Sequence, residues 1–442
     1  MKIIPIFMLL FIFTSCVNGQ QQSFQVTIKP FQISGLVGIQ SFAIGHSDGK
    51  WLILGGRLDG LHRRQPWATF DKAGQNDQLI VVDPVEQKKW SAPLTSLPIP
   101  IQEQLSSTNM EFQQDGAYLY VTGGYGYSNS EGDHITYPYL TVIKVSEVIK
   151  SIIAETPFTT YFRQIKDQQF AVTGGALNNI DSTYYLTGGQ RFDGRYNPMN
   201  HPTFRQEYTN SIRKFHINDN GSDLSVRHLE GAIDTMNLHR RDFNVIPQIM
   251  PDGSQGLTAF SGVFQFNADL PYLNCVNIDR SGYKVNNDFA QYYNQYQCAH
   301  IPLYSAEANE MHNLFFGGIA QYRDSAGIRL QNNDVPFVKT ITRVTRNSTG
   351  KMTENKLPIE MPGFLGAGAE FILAGNLPLY GNEVIKLDVL RPDTTLLGYI
   401  YGGINSSIPN IFWINDGTQS VTSSTIFKVY IVKEPVSKEN KL

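Results

Sequence analysis

The chain has 442 residues, of which 41% are hydrophobic and 17% charged, and this balance excludes an intrinsically disordered composition. A formal net charge of -3, without any basic block or stripe, argues against a nucleic-acid partner. Tyr and Phe number 22 and 26, and aromatic residues favour pleated, half-buried strands.

The first residues, MKIIPIFMLLFIFTSCVNG, combine one lysine with an apolar run that is too short to span a membrane. They have the layout of a secretory signal peptide. Cleavage after Gly19 gives a signal peptide over residues 1–19 and a mature chain over 20–442. Alternatively, FTSC is similar to a bacterial lipobox and leaves Cys16 as a lipid anchor. We therefore expect a protein that is secreted or held in the cell envelope, either in the periplasm or as an outer-membrane lipoprotein. No later segment is long and apolar enough for a transmembrane helix.

Further along, five apolar runs end on two glycines: WLILGG, LYVTGG, YYLTGG, LFFGG and YIYGG. A sixth, LTAFSG, ends on Ser261 and Gly262. Each run follows another strand-like run and a polar turn such as HSDGK, which is typical of hairpins. Two more strand-like runs come after, as in DQLIVVDPVEQKKWSAPL. Four antiparallel strands, repeated, predict the blade of a β-propeller. Glycine lets backbones approach each other and lets the chain turn at the end of the second strand.

Six glycine-ended strands predict an all-β, six-bladed propeller that forms a single domain over 20–442. The last blade offers AGAEFILAG, LLGYIYGG and IFKVYIVK and lacks a fourth strand. We expect residues 24–32, FQVTIKPFQ, to supply that outer strand and close the ring, because closure removes free sheet edges. A further pair, Gly174 and Gly175, is placed on a first strand and does not end a blade's second strand.

The pattern resembles the kelch repeat of the galactose oxidase-like superfamily, which includes the propeller of galactose oxidase and the bacterial N-acetylneuraminate epimerases. The segment MNLHRRDFNVIPQIMPDGSQGLTAFSG carries the resemblance best. The repeat spacing of roughly 55 to 85 residues exceeds the ~50 of kelch repeats, which places the excess in loops after the glycine pairs. The resemblance implies that one face collects these loops and the segments that lead into the first strands. The fold alone does not define a function.

Polar residues in those loops are the candidate ligand-binding groups, because Arg and Asp bind polar or anionic ligands bidentately and Tyr stacks on sugars. Those after the glycine pairs are Arg57, Asp59, His62, Gln190, Arg195 and Tyr322, and those placed before the first strands are Glu111, Arg163, His239 and Arg241. The alternative for each residue is a structural contact between loops. The motif LHRR occurs twice, at 61–64 and 238–241, and the two copies form a cationic mouth if both face the channel.

Cys275 and Cys298 are compatible with one disulfide in an exported protein, or with two buried thiols. No HxH, HExxH or CxxC spacing occurs, so we predict neither a metal nor a cofactor.

Two functions fit these observations. One is a binding module for a glycan, peptide or envelope protein. The other is a sugar epimerase or mutarotase resembling the N-acetylneuraminate epimerases, with Glu111 and Arg57, or His239 and Asp242, as its acid–base pair. An accessible funnel favours the enzyme, whereas a closed channel under a broad aromatic loop surface favours binding.

Overall fold

The structure is a computed structural model that describes residues 24–199, 203–325, 327–391 and 393–433. The predicted signal peptide and the lipid anchor at Cys16 lie outside these residues.

Six antiparallel sheets stand around a central channel and confirm the predicted six-bladed propeller with four strands per blade. The chain begins with β1 (Phe24–Phe31). Blade one consists of β2 (Ala43–Ser47), β3 (Lys50–Leu54), β4 (Gln78–Asp83) and β5 (Lys88–Pro93). Blade two contains β6 (Thr108–Asp115), β7 (Tyr118–Ser128), β8 (Asp133–Thr136), β9 (Tyr139–Lys144) and β10 (Phe162–Lys166). Blade three contains β11 (Ala176–Ile180), β12 (Thr183–Thr187), β13 (Gln190–Asp193), β14 (Arg205–Tyr208), β15 (Ser211–Asp219) and β16 (Leu224–Ile233).

The second half of the chain repeats the arrangement. Blade four consists of β17 (Asn244–Ile249), β18 (Gln255–Phe260), β19 (Cys275–Asp279) and β20 (Gly282–Asn286). Blade five contains β21 (His300–Ser305), β22 (Glu310–Phe316), β23 (Tyr322–Ser325), β24 (Ile328–Gln331), β25 (Thr340–Arg346) and β26 (Met352–Glu360). Blade six contains β27 (Phe364–Leu373), β28 (Ile385–Lys386), β29 (Thr394–Ser406), β30 (Ser420–Thr422) and β31 (Ile426–Lys433). Strand β28 leaves its own blade and pairs in parallel with β21.

Among the described residues, two α-helices connect strands: α1 (Ile99–Leu105) leads into blade two, and α2 (Val145–Ile153) joins β9 to β10. Helix α2 buries Val145, Val148 and Ile152, because their spacing places them on one face of a helix. Short 3-10 turns occupy Pro66–Ala68, Lys72–Gly74, Leu94–Ser96, Thr159–Tyr161, Gln168–Phe170 and Leu387–Val389. None of the helices in the described part of the chain combines the length and apolarity needed to cross a membrane.

The ring closes as predicted. Strand β1 pairs antiparallel with β31, from Phe24 opposite Lys433 to Phe31 opposite Ile426. It therefore forms the outer strand of blade six. Phe24 and Val26 are buried in the core between blades five and six, so the closing strand contributes apolar packing as well as backbone hydrogen bonds.

The glycine pairs join each blade to the next. In blade two the second glycine, Gly124, donates its N–H to the Val172 carbonyl in the segment that leads into blade three, at 2.9 Å. A Cβ on Gly123 would lie 1.9 Å from the same oxygen, and both glycines have left-handed φ. Equivalent bonds run from Gly56 N to Ser107 O, from Gly189 N to Arg240 O and from Gly403 N to Ile39 O. The absence of a side chain is thus required by the close approach of two backbones.

Candidate functional site

The two faces of the propeller differ in their connections. One, the loop face, carries the loops after the second strands and the segments that lead into the first strands. The other, the hairpin face, carries the turns between first and second strands and between third and fourth strands. All the predicted ligand-binding residues were expected on the loop face.

A ring of six residues closes the channel at the loop face. One residue per blade, just before or within its first strand, has a left-handed φ: Ser41, Asn109, Gly174, Asp242, Gln297 and Gly368. Five of the six donate their N–H to the carbonyl of the ring residue in the preceding blade, with N–O distances of 2.8 Å (Ser41 to Gly368), 3.1 Å (Asn109 to Ser41), 3.1 Å (Gly174 to Asn109), 2.7 Å (Asp242 to Gly174) and 2.7 Å (Gly368 to Gln297). The backbone itself therefore forms a constriction.

Side chains cross this ring. Asn109 Nδ2 of blade two donates to Asp242 Oδ1 of blade four at 3.1 Å. Gln297 Nε2 of blade five donates to Ser41 Oγ of blade one at 3.1 Å. Because each bond joins blades that are not neighbours, both bonds span the opening. In the described part of the chain, the channel has no open funnel on the loop face.

Above the ring, loops of four blades pack into an apolar cluster. Blades one and four contribute Leu61 and Val263, blade six contributes Ile404 and Ile411, and the remaining members are Tyr296, Ile319, Val335, Phe337 and Ala367. Since these side chains are buried among themselves, the loops form a continuous layer over the closed channel.

Aromatic rings hold the loops of blades one to three together. Phe70 packs edge-on against Tyr125 with ring centroids 5.2 Å apart, and Phe192 stacks on Phe204 at 4.7 Å. Tyr196 joins blades one and three, because its ring lies 5.0 Å from His62. Such pairs stabilise by about 0.5–1.5 kcal/mol each beyond their buried area, so this part of the layer is well packed.

The candidates of blade one are engaged within the layer. Arg57 is buried and bonds Asp59 bidentately, with Nε–Oδ1 of 2.6 Å and Nη2–Oδ2 of 2.5 Å. Its Nη2 also donates to the Asp71 carbonyl at 2.9 Å. Burial lowers the pKa of His62 to about 4, so its ring is neutral near pH 7. These groups stabilise the loop, and neither Arg57 nor His62 presents a free cation.

In blade four, Arg241 directly precedes the ring residue Asp242. Its Nε donates to the Tyr208 hydroxyl at 3.0 Å, and a terminal nitrogen bonds the Asp242 carboxylate. His239 stacks on Tyr208 with centroids 3.7 Å apart and bonds Asn210 Oδ1 through Nδ1 at 2.7 Å. Burial, and then the charge of Arg241, lower the pKa of His239.

The proposed acid–base pairs are not formed. Arg57 bonds Asp59, whereas Glu111 accepts from the Gly175 N–H at 2.9 Å. His239 bonds Asn210, whereas Asp242 bonds Arg241 and Asn109.

The repeated LHRR motif forms no cationic mouth either. Arg240 is buried, donates to the Ser261 carbonyl at 2.7 Å, and lies 3.8 Å over the Tyr272 ring. Arg64 points to blade six, where it donates to the Trp413 carbonyl at 2.5 Å.

The other candidates on the loop face also make contacts between loops. Gln190 begins β13 and accepts from Gln206 Nε2 at 2.5 Å. Arg195 donates to the carbonyl of Trp67, in blade one, at 2.5 Å. Tyr322 begins β23 and packs edge-on against Tyr292 at 5.3 Å.

Two candidates were placed wrongly. Arg163 lies on β10, the outer strand of blade two, where it bonds Asp219 of blade three and lies 5.5 Å over Tyr118. The expected position was wrong because α2 separates β9 from β10 and shifts this strand along the chain. Glu111 lies inside β6, below the ring, and faces the channel and not the loops.

The expected disulfide is not formed. Cys275 and Cys298 are both buried free thiols. Cys275 Sγ lies 3.8 Å from Met352 Sδ, and Cys298 Sγ donates to the Gln295 carbonyl at 3.1 Å. Burial raises the pKa of each thiol to about 12, so both stay protonated near neutral pH. Within the described residues, no group of three or more His, Cys, Asp or Glu side chains is placed to hold a metal ion.

Exposed apolar side chains concentrate on the loop face. Of the exposed large hydrophobic residues in the described part of the chain, only Val85 and Val389 lie in connections of the hairpin face. The loop face carries Val37, Leu58, Trp67, Ile99, Met199, Ile233, Met236, Phe266, Tyr292, Ile328, Leu330, Ile408, Trp413, Ile414 and Val421. Trp67 and Trp413 are 74% and 60% exposed. Surfaces of this composition mark interaction sites.

Each of the two exposed tryptophans is contacted by an arginine guanidinium group. Arg64 lies 5.5 Å over the Trp413 ring, and Arg195 bonds the Trp67 carbonyl. Both hydrogen bonds go to carbonyls, so neither positive charge is neutralised by these contacts. Sequence analysis missed the tryptophans because their exposure depends on how the long loops pack.

No protein-family profile matches this chain, and no curated protein matches it.

Proposed function

We propose that this propeller is a binding module whose loop face holds a macromolecular partner through an aromatic and cationic surface. The surface is centred on Trp67 and Trp413, with Arg64 and Arg195 beside them. Trp and Arg are the residue types that dominate binding energy in protein interfaces. A protein or peptide with exposed carboxylates fits this chemistry, since guanidinium groups bind carboxylates bidentately.

The proposal rests on the unequal distribution of exposed large hydrophobic residues between the two faces. Both faces belong to one scaffold, yet nearly all the exposed large hydrophobic residues in the described ranges lie on the loop face. The polar candidates beneath them, such as Arg57 and Arg241, are already bonded within the loop layer. Their role in the proposal is to hold the surface rigid, which lowers the entropy cost of binding.

Two further parts of the proposal, the repeat family and the export of the protein, rest on the sequence. The diglycine pattern at the ends of the second strands supports a kelch-like repeat of the galactose oxidase-like superfamily, with longer loops than a kelch repeat has. The apolar N-terminal run supports export, with the loop face turned to a peptide, glycan or protein of the cell envelope. An epimerase is the weaker alternative, because neither proposed acid–base pair is in contact and the channel is closed on the loop face.

Substitution of the tryptophans tests the proposal. Trp67→Ser and Trp413→Ser should abolish retention of partners from an envelope extract on the immobilised protein. Val85→Ser is the matched control, because Val85 is also 74% exposed but lies on the hairpin face. Each variant should melt like the parent protein, since the side chains are exposed.

Equal retention by the tryptophan variants and the parent protein would contradict a loop-face site. Equal loss in the Val85 variant would contradict it as well. A glycan array and a library of acidic peptides, probed with the same variants, identify the class of partner.

A further inference from the structure

A groove of about 460 Å³ lies on the outer side of the propeller, between blades three and four. Two contacts join the same blades beside it. Arg280 Nε donates to Asp181 Oδ2 at 2.7 Å, and the Tyr283 hydroxyl donates to Asp234 Oδ2 at 3.1 Å. The volume of the groove is within the ~300–1,000 Å³ typical of small-molecule sites.

The local sequence leaves this space open. The register of β15 and β16 shifts so that Glu230 and Gly231 together oppose Arg213 in a β-bulge. A Cβ on Gly231 would lie 2.4 Å from the Ile212 carbonyl oxygen, so the bulge needs glycine there. On the facing blade, a Cβ on Gly282 would have no atom of the described residues within 4 Å. Both walls therefore include positions without a side chain.

Three polar side chains of blade three share this groove. Tyr185 of β12 is directly opposite Lys214 of β15, and the Cβ atoms of such a pair lie about 4.5–5.5 Å apart on one face of the sheet. Tyr185 packs in the core between blades three and four, so Lys214 faces blade four as well. The cross-strand partner of Lys214 is Leu229, and the bulge turns the next residue, Glu230, into the groove. The three groups therefore lie side by side across three strands.

None of these three groups has a partner among the described residues. Tyr185 is only 3% exposed, yet its hydroxyl makes no hydrogen bond there and stays accessible to solvent. A buried tyrosine hydroxyl usually has a hydrogen-bond partner. The Lys214 ammonium and the Glu230 carboxylate form no ion pair, either with each other or with another described residue. One cation, one anion and one hydroxyl are thus free to bind a ligand in the same groove.

The rest of the groove is mainly apolar. Ile212 and Ala232 of blade three and Ile278 of blade four line it, together with Tyr283. A ligand that fills the groove therefore needs an apolar part beside its charged groups, because apolar surface is stabilised by leaving water.

We propose that this groove binds a free amino acid with an aromatic or aliphatic side chain. Its carboxylate pairs with Lys214 and accepts from the Tyr185 hydroxyl, its ammonium group pairs with Glu230, and its side chain packs on the apolar wall. A zwitterion satisfies both free charges through charge-assisted hydrogen bonds, whereas an acid, an amine or a neutral sugar leaves at least one of them unpaired. The groove is separate from the loop face, and this site does not depend on the function proposed for that face.

Isothermal titration of the purified protein with L-phenylalanine tests the proposal. The matched probes are 3-phenylpropanoate and 2-phenylethylamine, each of which lacks one charge, and glucuronate as an acidic sugar. We expect L-phenylalanine to bind at least about tenfold more tightly than each of these, since each loses a hydrogen bond to a charged group. Lys214→Gln and Glu230→Gln should each weaken its binding by roughly 10- to 100-fold, and Tyr185→Phe by roughly 2- to 10-fold. Lys284→Gln, exposed on β20 but outside the groove, should bind like the parent.

A further variant tests the location without changing a charge. Ala232→Leu adds volume to the apolar wall and should weaken binding, while the three polar groups stay in place. A thermal melt of each variant establishes that it is folded. No binding of L-phenylalanine, equal binding of either singly charged probe, tighter binding of glucuronate, or an unchanged affinity in the Lys214 and Glu230 variants would overturn the proposal.

Discussion

Replacing Gly123 by alanine tests whether the close approach of neighbouring blades is the reason for the glycine pairs. The added Cβ would lie 1.9 Å from the Val172 carbonyl oxygen, which is backbone and has little freedom to move. Gly116 in the same blade is the matched control. Its φ of 57° is close to the 65° of Gly123, and a Cβ on Gly116 would have no atom of the described residues within 4 Å.

The two substitutions share one cost and differ in another. A left-handed φ costs an alanine about 1–2 kcal/mol, part of which is offset by the lower entropy of the unfolded chain. Gly116→Ala should therefore lose about 1 kcal/mol. Gly123→Ala adds overpacking of about 1–3 kcal/mol and weakens the Gly124–Val172 hydrogen bond, which is worth about 1 kcal/mol. The expected loss is about 3–5 kcal/mol.

Equilibrium unfolding in guanidinium chloride measures both values, provided that the slopes of the two transitions agree. If Gly123→Ala and Gly116→Ala lose the same stability, the glycine pair is needed only for its backbone conformation. In that case our explanation of the repeat through contact between blades is wrong.

Three further predictions concern the closing strand, the two cysteines and Glu370. Deleting residues 24–32 removes β1, exposes the edge of β31 and uncovers the core surface that Phe24 and Val26 cover. The truncated protein should therefore aggregate and should melt at a lower temperature than the intact chain, as light scattering and a thermal melt would show. An unchanged melting temperature would contradict the closing role of β1. Because Cys275 and Cys298 are free thiols, a reductant should leave the melting temperature unchanged, whereas loss of a disulfide would destabilise by about 2–5 kcal/mol. Burial raises the pKa of Glu370 from 4.5 to about 8 in the folded state, so its contribution to stability is present at low pH and is lost as the pH rises towards 8. Glu370→Gln should flatten this decline in stability by up to about 1.4 kcal/mol per pH unit. Denaturant midpoints between pH 5 and 9 measure the difference.

The sequence predicted the six blades because each blade repeats a strong local signal, an apolar strand that ends on glycine. It also predicted the closing strand, since blade six lacked one strand and residues 24–32 had no blade. The second strands of blades two and six run further than expected, to Ser128 and Ser406. Beyond the glycines they pair with β8 and β30, which the apolar pattern alone does not indicate.

The site was harder to predict. Arg57 and Asp59 were rightly placed in a loop of the loop face, but the sequence does not tell whether such a pair binds a ligand or its own loop. Arg163 was misplaced because a helix was missed, although the spacing of Val145, Val148 and Ile152 is helical. The exposure of Trp67 depends on contacts between distant loops and has no local signal.

The pair Gly174 and Gly175 has a different role from the glycine pairs that end second strands. It does not end a second strand, and its first member has the left-handed φ of the ring. A Cβ there would lie 2.6 Å from Asp242 Oδ1, the oxygen that accepts from Asn109 across the channel. Gly368 holds the equivalent place in blade six, where a Cβ would lie 2.7 Å from Ser41 Oγ. The two glycines thus leave room for the side chains that close the channel. Once that closure exists, a ligand on the loop face meets only the outer surface of the loop layer, and a ligand in the channel must enter from the hairpin face. The same few residues therefore separate the proposed loop-face surface from the channel beneath it.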